Sequence, residues 1–170
     1  MNPLEFEIMI AVFGDPRPFV GKDGIASRFW EERILRMARL PAPLPLSWNA
    51  GVEVSRFRCH YLLVKAFEAA LNLAFSTPEA WATIGDFGGC YQFRGNRKNP
   101  KRLSAHAWGT AIDLDVKDNA QGRAPEMHPA IIEAFESQGF IWGGRFKDDA
   151  VDGMHFEFHD LTKVSKEVRG

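Results

Sequence analysis

Residues 111–116, Ala-Ile-Asp-Leu-Asp-Val, alternate between aliphatic and small or acidic side chains. A period of two puts Ile112, Leu114 and Val116 on one face of a strand and Ala111, Asp113 and Asp115 on the other. Residues 154–158 alternate the same way, with Met154, Phe156 and Phe158 against His155, Glu157 and His159. Each strand has one face that asks for a core. Its other face carries groups that are costly to bury unless paired or ligating. Two acids on a strand whose reverse side is aliphatic indicate that this face lines a cleft.

Composition removes several classes of function. The chain has 170 residues, of which 45% are hydrophobic and 25% charged, ordinary values for a globular protein. We expect one domain spanning 1–170 with a core that needs no staples. The formal net charge of −1 gives no broad basic surface for nucleic acid and no attraction to anionic membranes. No apolar run approaches the ~18 residues that span a bilayer. The start, Met1-Asn2-Pro3-Leu4-Glu5-Phe6-Glu7, has acids where a signal peptide has bases. Synthesis in the cytoplasm without an export signal is therefore the expectation. Cys59 and Cys90 allow at most one disulfide and no zinc ribbon, and read as buried free thiols.

Along the chain, residues 6–13 read as a strand stopped by Gly14-Asp15-Pro16. A helix is expected over about 26–39, with Phe29, Trp30, Ile34 and Met37 inward. Pro41, Pro43 and Pro45 then predict an ordered extended surface loop. The clearest helical stripe is Phe57, Tyr61, Val64, Phe67, Leu71 and Ala74, a helix of about 56–75 capped by Ser55. Residues 85–103, rich in Gly, Asn and Arg, read as a loop of the kind that carries sites. Pro129 opens a helix that Gly139 closes. Phe140-Ile141-Trp142 reads as a strand broken by Gly143-Gly144.

The chemistry lies in residues 104–113 and 152–157. His106, Asp113 and His155 are three donors of the types that hold catalytic zinc with a position left open. Seven extended residues would separate His106 from Asp113 by more than ~20 Å. The chain must double back, and Gly109 allows the bend. Asp113 and His155 are each braced by neighbours that point into the core. Asp152, next to flexible Gly153 and three residues before His155, is placed to take a proton from a water acidified by one Zn2+ ion. Alone, each residue has a plainer reading. His106 or His155 suits a structural histidine, and Asp152 suits a turn with Gly153. Asp115 and His159 are weaker candidates that share the two faces. His60 and His128 read as helix-associated, and Trp108 and Trp142 as core or cleft wall.

The pattern Ser104-x-His106-x-x-Gly109-x-Ala111-x-Asp113, followed by Asp152-x-x-His155-Phe156-Glu157, resembles the zinc peptidases of bacterial cell-wall peptides. That family comprises D-alanyl-D-alanine carboxypeptidases and dipeptidases and the L-alanyl-D-glutamate endopeptidases of phage endolysins. Tyr91-x-x-Arg94 and Gly139-Phe-x-Trp142-Gly-Gly extend the similarity to roughly residues 85–160. The resemblance implies a hydrolase with His106, Asp113 and His155 on one zinc ion and Asp152 as catalytic base. It implies that Arg94 stabilises the oxyanion or holds a substrate carboxylate, as a rigid guanidinium fork can. Ser104 would bind substrate, and Glu157 would fix a ligand from behind. Some members use Glu as the base, so Asp152 leans toward the endolysin-like branch. The implied fold is α+β, as in hedgehog-type and D-Ala-D-Ala peptidase domains: a small antiparallel sheet with helices packed on one side and zinc on the open face. The implied partner is a peptidoglycan peptide met at the cell wall, through phage-type release where no export route exists, with no nucleic acid, no membrane and a monomeric enzyme. Two other readings use the same residues. One is a metal-binding module of this fold without turnover, against which Asp152 counts. The other is a non-haem iron oxygenase, whose first His and acid are usually spaced by one residue rather than six.

Overall fold

The protein is described here by a computed structural model covering residues 3–96 and 102–164. Its six strands are β1 (Leu35–Leu46), β2 (Asn49–His60), β3 (Phe87–Gly89), β4 (Ala111–Leu114), β5 (Phe140–Trp142) and β6 (His155–Phe158). They form one sheet in the order β2-β1-β3-β4-β6-β5. Every neighbouring pair is antiparallel except β1 and β3, which meet in parallel only at Leu46 and Phe87. Elsewhere no strand among the described residues pairs with the second side of β1, and the Glu68 carboxylate accepts the Arg39 N–H there at 3.0 Å.

Helices α3 (Val64–Phe75) and α6 (Pro129–Ser137) cover one face of the sheet, α3 against β1 and α6 against β5. Aromatic rings set their spacing. Phe67 of α3 meets Phe57 of β2 with centroids 5.6 Å apart and Phe140 of β5 at 4.7 Å. Phe135 of α6 stacks on Phe156 of β6 at 4.3 Å. Phe156 therefore faces the helices, and its neighbours His155 and Glu157 face away from them. This is the α+β arrangement expected from the sequence, with the ligand candidates opposite the helical layer.

Several local expectations are overturned. Residues 6–13 are not a strand: Pro3–Phe13 is helix α1. A continuous apolar run does not distinguish strand from buried helix, and Pro3 suits a helix's first turn. Met9 and Phe13 of α1 are buried, one turn apart. The helix at 26–39 stops early. Helix α2 is Arg28–Ile34, with the Ser27 side chain accepting from the Trp30 N–H, and β1 follows at once. Only Trp30 and Ile34 of its expected apolar face are buried; Phe29 and Met37 are exposed. The prolines lie inside β1 rather than in a loop. Its register with β2 breaks between Arg39 and Leu44 and between Pro45 and Leu46, and irregular stretches are where a strand tolerates residues without N–H. The stripe at 56–75 runs through three elements. Phe57 belongs to β2, Tyr61 to a 3-10 turn, and only Val64–Phe75 is α-helix.

The turn at Tyr61 is held by buried His60, whose Nδ1 accepts from the Leu62 N–H at 3.3 Å while Nε2 donates to the Phe13 carbonyl at 3.2 Å. His128 likewise caps α6, accepting from the Ala130 N–H. The loop reading of 85–103 missed the three residues of β3. Short helices α4 (Pro78–Trp81) and α5 (Val116–Asn119) complete the α-helices of the described residues. No helix among the described residues is long and apolar enough to cross a membrane.

Candidate metal centre

Asp113 and His155 are directly opposed partners on β4 and β6, so their side chains leave the sheet on the same face. His106 reaches them from a 3-10 turn, Ala105–Trp108, closed by Gly109 at φ +69°. The bend at Gly109 is as the spacing requires, and it admits no side chain. A Cβ there would stand 2.9 Å from the His60 nitrogen and 3.0 Å from Leu35 Cδ2. Trp108, fully buried, anchors the same turn by donating from Nε1 to the Gly14 carbonyl at 2.8 Å.

The three side chains are buried and converge on one point. Asp113 Oδ1 lies 2.9 Å from His155 Nδ1 and 3.3 Å from His106 Nε2. The two ring nitrogens are 3.2 Å apart. Their outer nitrogens identify the tautomers. His106 Nδ1 is 2.6 Å from the Cys90 carbonyl, and His155 Nε2 is 3.2 Å from Glu157 Oε2. Carbonyl and carboxylate oxygens only accept, so these outer nitrogens carry protons. The inner nitrogens then present lone pairs toward an anionic oxygen, an arrangement that needs a cation. Tetrahedral zinc with bonds near 2.0–2.1 Å sets its ligand atoms about 3.3 Å apart, and the three edges here are 2.9, 3.2 and 3.3 Å. The donor set fits zinc.

The electrostatics agree. Burial alone would lower the His155 pKa, but the Asp113 and Glu157 carboxylates push it up to about 10. A proton on Nδ1 meets part of the demand for positive charge; a divalent metal meets it with all three donors. Burial would raise the Asp113 carboxyl, yet the two imidazoles hold it well below the usual carboxylate range. Glu157 is held low in the same way, accepting from His155 and, at 2.7 Å, from His159 Nε2.

Of the remaining sequence candidates, Glu157 touches His155, and Arg94 lines the same cleft as His106 and Asp113. Asp152 begins the turn into β6: its N–H donates to the Gly143 carbonyl at 3.0 Å, and its carbonyl accepts from the His155 N–H at 3.2 Å. Trp142 fastens the turn by donating to the Gly153 carbonyl at 2.7 Å. Arg94 and Ser104 flank an antiparallel bridge between Gly95 and Leu103, the Ser104 N–H donating to the Arg94 carbonyl at 3.1 Å. The Arg94 Nε donates to Gln92 Oε1 at 3.0 Å. Ser104 is buried just before the His106 turn. A cleft of about 430 Å³ opens onto His106 and Asp113 and is lined also by Arg94, Tyr91, Gly89 and Trp48.

Asp115 does not share the metal face. Its backbone is left-handed, at φ +53°, and its carboxylate accepts from Gly85 N–H at 3.1 Å and Asn119 Nδ2 at 2.7 Å. Cys59 and Cys90 are buried free thiols, as expected. Burial pushes the Cys90 thiol well up, and its Sγ–H points to the Gly109 carbonyl at 3.6 Å. Two participants had no sequence signal. The Cys90 carbonyl that orients His106 belongs to the backbone, and Trp48 stands far away in sequence.

Residues 97–158 match a protein family described as D-alanyl-D-alanine carboxypeptidase. No curated protein and no solved structure matches the chain. The matched span contains Ser104, His106, Asp113, Asp152, His155 and Glu157 and leaves Arg94 just outside. The similarity to the D-alanyl-D-alanine carboxypeptidase family is therefore a property of residues 97–158, the part of the chain that brings the buried His-Asp-His group together.

Proposed function

We propose that the chain is a zinc-dependent peptidase that hydrolyses a peptide bond in peptidoglycan stem peptides, as an L-alanyl-D-glutamate endopeptidase or a D-alanyl-D-alanine carboxypeptidase. The observation that carries this reading is the convergence of two imidazole lone pairs and a carboxylate oxygen within 3.3 Å of one another, inside a span similar to a peptidase family. Zinc held by His106, Asp113 and His155 would supply Lewis-acid polarisation of a carbonyl and a water acidic enough to react near neutral pH.

The chain's own residues do the rest. Asp152 accepts the proton of the attacking water and returns it to the leaving amine; such assistance is typically worth about 10²–10⁴-fold. Arg94, at the cleft wall, donates to the developing oxyanion or to a substrate carboxylate. Ser104 contacts the substrate beside His106. Glu157 keeps the His155 proton on Nε2, so that Nδ1 faces the metal.

Mass spectrometry of peptidoglycan digested by the zinc-loaded protein tests this. Free D-alanine identifies the carboxypeptidase, and a new N-terminal D-glutamate the endopeptidase. A fully loaded protein that releases neither from any muropeptide contradicts the peptidase reading and supports a binding module. Bound iron with oxygen uptake supports an oxygenase.

A further inference from the structure

Trp48 occupies the two-residue turn between β1 and β2, where Leu46 and Asn49 are partners. Turn chemistry does not call for an indole there. Such turns favour Gly, Asn and Asp with positive φ, and neither Ser47 nor Trp48 has positive φ. The core does not call for it either, since Trp48 is 66% exposed. Yet its position is fixed. The Ser47 N–H donates to the Phe87 carbonyl at 3.1 Å, tying the hairpin tip to β3. The indole lies over the backbone of Gly89, where a Cβ would come within 3.9 Å of its ring. This places Trp48 on the wall of the cleft that contains His106 and Asp113. The same cleft has apolar walls at Val116 and Met154 and polar ones at Gln92 and Arg94.

We propose that Trp48 is a substrate-binding residue. Its indole forms the apolar wall against which a bound peptide lays a small aliphatic side chain, while the peptide's polar and anionic groups lie toward Gln92 and Arg94. The ligand class is an extended peptide carrying both an alanine-like side chain and a carboxylate. The cleft's size is that of an ordinary small-ligand site. An exposed indole held beside a glycine floor offers a large contact area with little rotamer entropy to lose. The proposal rests on the peptidase reading for the nature of the peptide. It places Trp48 in binding and not in the chemical step.

The test compares the wild type with Trp48→Ala and Trp48→Phe on a synthetic stem peptide. Trp48→Ala is expected to raise KM about tenfold and leave kcat within about twofold, the pattern of lost uniform binding. Trp48→Phe is expected to recover most of the KM. Calorimetry of the intact peptide with Asp152→Ala, with and without Trp48→Ala, measures binding where no turnover is expected and should show the same tenfold loss in Kd. Unchanged KM and Kd, an effect confined to kcat, or loss of bound metal in Trp48→Ala would overturn the proposal. If the wild type cleaves no stem peptide, the peptidase reading fails on that result alone, and the calorimetric comparison still decides whether Trp48 binds the peptide.

Discussion

Replacing Glu157 with alanine should weaken zinc binding by about 100-fold while leaving the chain folded. Glu157 does not belong to the converging group. It accepts the Nε2 proton of His155 at 3.2 Å and the Nε2 proton of His159 at 2.7 Å. Without it, nothing in this arrangement keeps the His155 proton on the outer nitrogen, and the tautomer with Nδ1 protonated cannot ligate. Loss of such a supporting partner typically costs 10–100-fold in metal affinity. The upper end, about 2.7 kcal/mol, applies to Glu157→Ala because the outer nitrogen keeps no acceptor among the described residues. Glu157→Gln should fall near tenfold, since an amide oxygen can still accept from His155 while exposed His159 changes tautomer. His159→Ala should cost less than about threefold, because His155 keeps its acceptor. Competition titration against a chelator of known zinc affinity measures all three, with thermal melting to show that each variant is folded. Wild-type zinc affinity in Glu157→Ala would refute the reasoning, as would His159→Ala weakening zinc more than Glu157→Ala.

Three further predictions follow from the same geometry. Asp152→Ala should keep zinc and the melting temperature but lose at least about 10²-fold in turnover; wild-type rates on muropeptides would remove Asp152 from the mechanism. Gly109→Ala should destabilise by at least about 2 kcal/mol, because it adds a side chain at φ +69° against the His60 backbone. For a chain of this size that lowers Tm by roughly 4–8 °C, and an unchanged Tm would show that the bend is slack. Burial lowers the His60 pKa from 6.5 to about 4 against a weaker opposing hydrogen bond to Phe13. The unfolded chain therefore takes up the proton first as pH falls, and stability on the order of 3 kcal/mol drains away between about pH 6.5 and pH 4. Subtracting the pH–stability curve of His60→Gln from that of the wild type isolates this slope, and identical curves would contradict it.

The metal group was legible because its signal is local and periodic. The alternation of 111–114 and 154–158 fixed which side chains share a face, and the register of β4 and β6 then set Asp113 opposite His155. Gly109 was readable as a bend for the same reason, since only a reversal brings His106 back to Asp113. The first sixty residues were less legible because their patterns are ambiguous. The apolar run of α1 suits a strand or a buried helix. The three- and four-residue steps from Phe57 to Ala74 run through the end of a strand, a turn and a helix that all bury residues toward one core. Asp115 broke the alternation because its left-handed backbone ends β4 and starts α5. Trp48 and the Cys90 carbonyl carried no pattern, since tertiary packing alone brings them to the cleft.

The most direct measurement is X-ray absorption at the zinc edge on protein loaded with one equivalent of zinc, paired with metal analysis of the single alanine variants of His106, Asp113 and His155. Two imidazole nitrogens and one carboxylate oxygen are expected near 2.0–2.1 Å, with loss of the bound ion in every variant. A thiolate sulfur among the ligands, or a full equivalent of tightly held zinc in the His155→Ala protein, would contradict this ligand set.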